Sequence, residues 1–208
     1  MKRIIVLLVG LLFSLGAYAQ ALHFEQDSLA QVLVRARQAN KPVFVLVAPP
    51  PPSPNLTKEQ RKSWLASGLN DPEVVKQLND RFLTYKAEFG KPEAWTLVRQ
   101  YGVTSYPTYL YLNSDGTLLY QSRGNTRDPQ RYLADIQRFE AKLKDPNNLS
   151  HYQQQYDAGK RDPDFLKQYI TLRQETGVPI EQELLDAYVS ELPVKAFDSF
   201  LFGGAFYL

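Results

Sequence analysis

Along the chain, apolar residues recur at two periods. In "DSLAQVLVRARQAN", Leu29, Val32, Leu33 and Ala36 share one helical face, and Asp27 or Ser28 can cap it. "PVFVLV" (42–47) is apolar almost without interruption, the pattern of a strand covered on both faces. In "TKEQRKSWLASG", Thr57 and Gln60 have the spacing of a capping box, which predicts a helix ending near Gly68. Asp71 and Pro72 open a further helix. "RFLTYKAE" reads as a strand, and "KPEAWTLVRQYG" as a helix opening near Pro92 and closing at Gly102. "TYLYLNSDGTLLYQSR" predicts a hairpin turning at Asp-Gly. In "RDPQRYLADIQRFEAKLK", Asp128 caps a helix whose Leu133, Ile136, Glu140 and Leu143 fall on one face. Strand–helix–strand units followed by a hairpin imply an α/β fold, with a mixed sheet and helices on both of its faces.

After Lys144 the period becomes helical throughout. "LSHYQQQYDAGK", "DPDFLKQYITLRQETG" and "PIEQELLDAYVSEL" predict three helices. Tyr152, Tyr156, Phe165, Leu166, Tyr169, Ile170 and Leu172 supply their apolar face. Residues 145–208 therefore read as a small all-α C-terminal extension beside an α/β unit at 20–144. The final "FDSFLFGGAFYL" carries enough apolar surface to suggest a docking segment, or a chain that continues into more protein.

Composition separates the start from the rest. "MKR", then "IIVLLVGLLFSLG", then "AYA" is the pattern of a secretory signal peptide (1–19) cleaved after Ala19, and so of a periplasmic or secreted protein. An uncleaved membrane anchor is the alternative, but the apolar stretch is short for a span of about 20 residues. Of the 24 basic residues, Lys2 and Arg3 lie in this leader, which leaves 22 against 22 acidic ones. A neutral mature chain gives no electrostatic basis for binding nucleic acid or an anionic membrane. Arg35 and Arg37 read as a solvated helix face. Cysteine is absent from all 208 residues. Thiol chemistry, thiolate metal sites and disulfides are thereby excluded.

Two stretches resemble exported thioredoxin-like proteins. "ANKPVFVLV" is similar to their entry strand, and "YGVTSYPTYLYLNSDGTLLYQSRG" to their Val-x-x-x-Pro-Thr segment and hairpin, closing at Gly124. The resemblance covers residues 20–144. It implies a thioredoxin-like three-layer fold in which Pro107 is a cis-proline. It also implies that the backbone of Tyr106 faces the active-site loop, where it could pair with an extended peptide. In that register the family's Trp-Cys-Gly-Pro-Cys-Lys falls on Pro51, Pro52, Ser53, Pro54, Asn55 and Leu56. Both cysteines are replaced, and the family's buried acid falls on Leu46. Disulfide exchange needs an attacking thiolate, so the family's reaction does not carry over and the chain reads as no enzyme.

Other chemistry finds little support. Ser53 and Ser105 lie near the expected site, but a serine nucleophile needs a base beside it, and His23 and His151 are distant in sequence. The histidines and scattered acids compose no metal site, and no glycine-rich phosphate loop or cofactor motif is present. Asn55 and Asn148 fit the glycosylation pattern. The leading expectation is an exported, redox-inactive module that binds a peptide or another exported protein. Its candidate binding residues are Pro52, Ser53, Pro54, Asn55, Ser105, Tyr106 and Pro107. Tyr106, Tyr109 and Trp64 are candidate aromatic anchors, although Trp64 and Tyr109 also fit a core. One alternative is a scaffold whose helical extension makes the partner contacts. Another is a non-catalytic accessory of a thiol–disulfide pathway.

Overall fold

The computed structural model describes residues 21–192. The leader and the apolar tail lie outside the described residues. In chain order the elements are α1 (Leu29–Ala39), β1 (Val43–Val47), α2 (Lys58–Leu65), a 3-10 turn (Gly68–Asn70), α3 (Pro72–Arg81), β2 (Leu83–Ala87) and α4 (Pro92–Tyr101). They continue with β3 (Thr108–Leu112), β4 (Leu118–Arg123), α5 (Pro129–Lys144), α6 (Leu149–Asp157), α7 (Pro163–Thr176) and α8 (Gln182–Glu191).

Local sequence explains most boundaries. Ser28 is the cap of α1, in a reciprocal capping box with Gln31, and Thr57 and Gln60 form the same device at α2. Asp71, Asp128 and Asp162 cap α3, α5 and α7, each followed by proline at the first helical position. Gly102 and Gly177 close α4 and α7 in the left-handed conformation. One expectation is corrected. The helix opened by Thr57 stops at Leu65, short of Gly68. The reason is that Gly68 is needed elsewhere. Its N–H donates to the Thr126 carbonyl (2.8 Å), and a Cβ there would come within 2.7 Å of the Asp128 backbone.

The sheet order is β2-β1-β3-β4. β1 runs parallel to β2 and antiparallel to β3, and β3 and β4 form the hairpin. Phe24 adds an isolated parallel bridge to Thr84 beside β2. Two cores lie on opposite faces. One is built on Val43, Val45, Val47 and Leu110 under α1 and α4, the other on Phe44, Tyr109 and Tyr111 under α3 and α5. Alternate residues of one strand thus serve opposite cores, as the period of two requires.

In α5 the buried face is Tyr132, Asp135, Ile136 and Phe139. This corrects the sequence pattern, which picked Leu133, Ile136, Glu140 and Leu143. Leu143 is exposed, and Glu140 pairs with Arg81. A buried carboxylate displaced the apolar count. Asp135 accepts from Tyr120 (2.8 Å) and Arg138 (3.0 Å) on one oxygen and from Ser122 (2.6 Å) on the other, which also forms an ion pair with Arg131 (3.2 Å). With its lone pairs occupied, it fastens α5 to β4.

The three helices of the extension contribute Tyr152, Tyr156, Phe165, Leu166, Tyr169 and Leu184 to the same core as Phe44 and Tyr111. Their aromatic rings stack on one another, with Tyr152 and Phe165 centroids 5.2 Å apart. Polar ties join them to the hairpin. The Gln121 amide donates to the Thr176 carbonyl (2.8 Å), and Ser150 and Gln154 donate to Asp115 in the hairpin turn. The edge strand β4 is thereby covered rather than left open to pair with another chain.

Candidate functional site

Register brings the candidate residues to one end of the sheet. Val47, the last residue of β1, pairs with Ala87 at the end of β2 and with Thr108 at the start of β3. Thr108 in turn pairs with Arg123 at the end of β4. Four segments leave or enter here: 48–57, 88–91, 105–107 and 124–128. Pro52, Ser53, Pro54 and Asn55 therefore share this end with Ser105, Tyr106 and Pro107.

The proline segment has no regular secondary structure. Residues 49–52 are all proline and bring no backbone N–H, so no ladder can extend β1. The turn that follows is local. The Asn55 N–H donates to Ser53 Oγ (3.3 Å), and the Leu56 N–H to the Ser53 carbonyl (3.2 Å). Ser53, Pro54 and Asn55 are exposed, and Pro52 is partly buried. Across the sheet end, the Tyr106–Pro107 peptide is cis. The Ser105 carbonyl accepts from Thr108 Oγ1 (2.7 Å), and the Pro107 carbonyl from the Gly124 N–H (2.9 Å). The Tyr106 ring is partly buried and meets Phe89 edge-on, with centroids 5.2 Å apart.

Helix α2 lies across this end instead of against a sheet face. Its C-terminal side is tied to the segment after β4. Arg127 donates to Ser63 Oγ (2.6 Å), and the Asn125 amide to the Ala66 carbonyl (2.8 Å). None of its eight residues is buried. Trp64 is 40% and Leu65 54% exposed, so the reading of Trp64 as core is corrected. Tyr109 is corrected in the other direction. It is buried, stacks on Phe44, and its hydroxyl meets that of Tyr132 at 3.2 Å. Burial, followed by the Tyr132 hydrogen bond, pushes its ionisation well above the ordinary tyrosine range. It supports the site from beneath and cannot anchor a ligand. Phe89, 40% exposed and set against Tyr106, was missed as a site residue. Its place just after "YKAE", at a strand's C-terminal end, was the available signal.

Neither histidine is placed beside the hydroxyls of Ser53 and Ser105. His23 lies beside Asn79, to which its N–H donates (3.0 Å), and His151 lies on α6. Among the described residues no three His, Asp or Glu side chains are placed to hold a metal ion. A concavity of about 800 Å³ is lined by Phe24–Ser28, Tyr85, Glu88, Lys91 and the start of α4, and so borders the 88–91 segment of the sheet end; another, of about 210 Å³, lies between the hairpin turn and Arg173. Residues 48–57 and 105–107 line neither of these two concavities.

No family model matches the chain, and no curated protein matches it. Solved structures do. A candidate disulphide isomerase from Bacteroides thetaiotaomicron is 28% identical, covers 59% of this chain and 96% of its own, and superposes with a TM-score of 0.45. DsbH oxidoreductase is 15% identical over 61% of this chain and 91% of its own, with a TM-score of 0.46. A thioredoxin from Thermus thermophilus is 21% identical over 57% and 86%, with a TM-score of 0.42. In its own strand order, parallel β1–β2 pair, terminal hairpin and Tyr106–Pro107 turn, this chain has a thioredoxin-like α/β fold, and it carries that fold without a single cysteine.

Proposed function

We propose that the protein is an exported, redox-inactive thioredoxin-like module that binds an extended peptide or an exported protein. The contact surface is the sheet end between the proline segment and Tyr106–Pro107. The observation that carries this reading is the convergence at Val47. The β1 register sets the rigid segment 48–57, the exposed Phe89 and the Tyr106 backbone around one sheet end. Prolines pre-order the segment and so lower the entropy lost on binding. Export rests on the leader pattern at 1–19; no helix among the described residues is long and apolar enough to cross a membrane.

The scaffold alternative is less favoured. The aromatic residues of α6 and α7 are turned into the core and are not free for a partner. A photo-crosslinker at position 106 tests the choice. Capture of partners there, and not from positions on α6–α8, supports the sheet-end surface. Capture only on α6–α8 supports the scaffold. The purified chain should not reduce insulin disulfides; measurable turnover would overturn the redox-inactive reading.

A further inference from the structure

Helix α2 carries three cations, Lys58, Arg61 and Lys62, against one carboxylate, Glu59. All four are exposed. None of the three cations takes part in an ion pair among the described residues, and neither do Arg123 and Arg127 at the same sheet end. Lys58 and Lys62 are four residues apart on the helix, an arrangement that repels. Arg61 precedes Trp64 by three residues and Leu65 by four, so it lies beside both. The exposed indole and leucine are thus flanked by unpaired positive charge, in a mature chain whose net charge is zero. Arg123 and Arg127 stand at the same sheet end and add to the field, while Glu88 and Asp128 are the opposing acids nearby. Asp128 is already engaged as the cap of α5.

Helix packing does not account for this composition, since α2 buries nothing. We infer that α2 is the specificity element of the binding surface: Trp64 and Leu65 take an apolar side chain of the partner, and Lys58, Arg61 and Lys62 select acidic residues flanking it. The partner is an extended, acidic peptide segment. This inference rests on the peptide-binding reading above and adds the partner's chemistry. Charge complementarity of this kind sets selectivity and encounter rate more than bulk affinity. A desolvated aromatic beside it supplies the holding contact.

The test uses fluorescein-labelled decapeptides with a central Phe-Leu pair. The flanking residues are Asp and Glu, or their uncharged counterparts Asn and Gln, or Lys. Each is titrated against the intact chain by fluorescence polarisation. The acidic peptide should bind about tenfold more tightly than its Asn/Gln counterpart at low salt. That advantage should vanish near 1 M salt, where the screening length falls to about 3 Å. The triple variant Lys58→Glu, Arg61→Glu, Lys62→Glu should lose the preference and favour the Lys peptide; with no buried residue in α2, its circular dichroism should match the wild type. Tyr106→Ala should weaken all peptides alike. Equal binding of the acidic and Asn/Gln peptides would overturn the role of α2 while leaving peptide binding in place. Failure to bind any of the three would remove both readings. Trp64-dependent self-association in sedimentation, or Trp64-dependent binding to phosphatidylglycerol vesicles with no peptide preference, would assign the helix to another occupant and overturn the inference.

Discussion

Helices α2 and α7 make the instructive comparison. Each begins with a side-chain cap, and each carries aromatic and basic residues. Helix α7 buries Phe165, Leu166, Tyr169 and even Arg173; α2 buries nothing. The difference is position. α7 lies against β4 and α6, where its rings stack with Tyr152 and Tyr156. Its one buried cation is fully engaged. Arg173 donates to the Pro179 carbonyl at 2.7 Å and to Glu181 at 2.9 Å, and its guanidinium lies 5.6 Å from the Tyr169 ring centre. α2 crosses the sheet end and is held by hydrogen bonds to Ser63 and Ala66, both near its C-terminus. One helix consolidates the fold, and the other presents its side chains to solvent.

Mutations should separate the two sharply. Tyr169→Ala removes a fully buried ring from the aromatic stack and should cost about 3–5 kcal/mol, read by chemical denaturation. A cost under about 1 kcal/mol would mean that the extension is not part of the cooperative core. Asp135→Ala should cost about 3–5 kcal/mol, because Arg131, Ser122 and Tyr120 would lose their common acceptor. Substituting the neutral isostere Asn, which keeps an acceptor, should cost less.

Asp115 sets a smaller, pH-dependent effect. Burial raises its ionisation, but hydrogen bonds from Ser150, Thr117 and Gln154 outweigh that and hold it below the ordinary carboxylate range. A carboxylate depressed in the folded state adds stability above its unfolded value of about 3.9, and this is lost as pH falls through the folded value. Asp115→Asn should therefore cost about 1 kcal/mol at neutral pH. The gap from wild type should close below about pH 4, measured as denaturation midpoints across pH. A pH-independent gap would show that the carboxylate charge is not what ties α6 to the hairpin. The smallest effect belongs to α2. Trp64→Ala should change stability by no more than about 0.5 kcal/mol while weakening peptide binding. A large loss of stability would place Trp64 back in the core and remove the contrast with α7.

Much of this architecture is legible in local sequence. The caps at Ser28, Thr57, Asp71 and Asp128, the apolar strand at 43–47 and the Asp-Gly hairpin turn all depend on residues a few positions apart. Backbone hydrogen bonding and side-chain period act at that range. The candidate site is legible only through register. The resemblance aligned Pro52 to Asn55 with a lost dithiol, but their nearness to Tyr106 follows from Val47 pairing on both sides. What local pattern could not supply is which surface each helix buries. Counting apolar positions in 129–144 selected Leu133 and Leu143, whereas the neighbouring strand's Tyr120 and Ser122 made Asp135 the residue to bury. For Trp64 the residue type fitted both an anchor and a core, and only its place at the sheet end left it exposed.

By itself, the sequence determined the order of elements, most of their termini and the absence of thiol chemistry, since each of these depends on residue identity or near neighbours. The tertiary structure alone decided that α2 stands free at the sheet end and that the extension's rings complete the core. Burial is a property of what lies opposite in space, and those partners are tens of residues away along the chain.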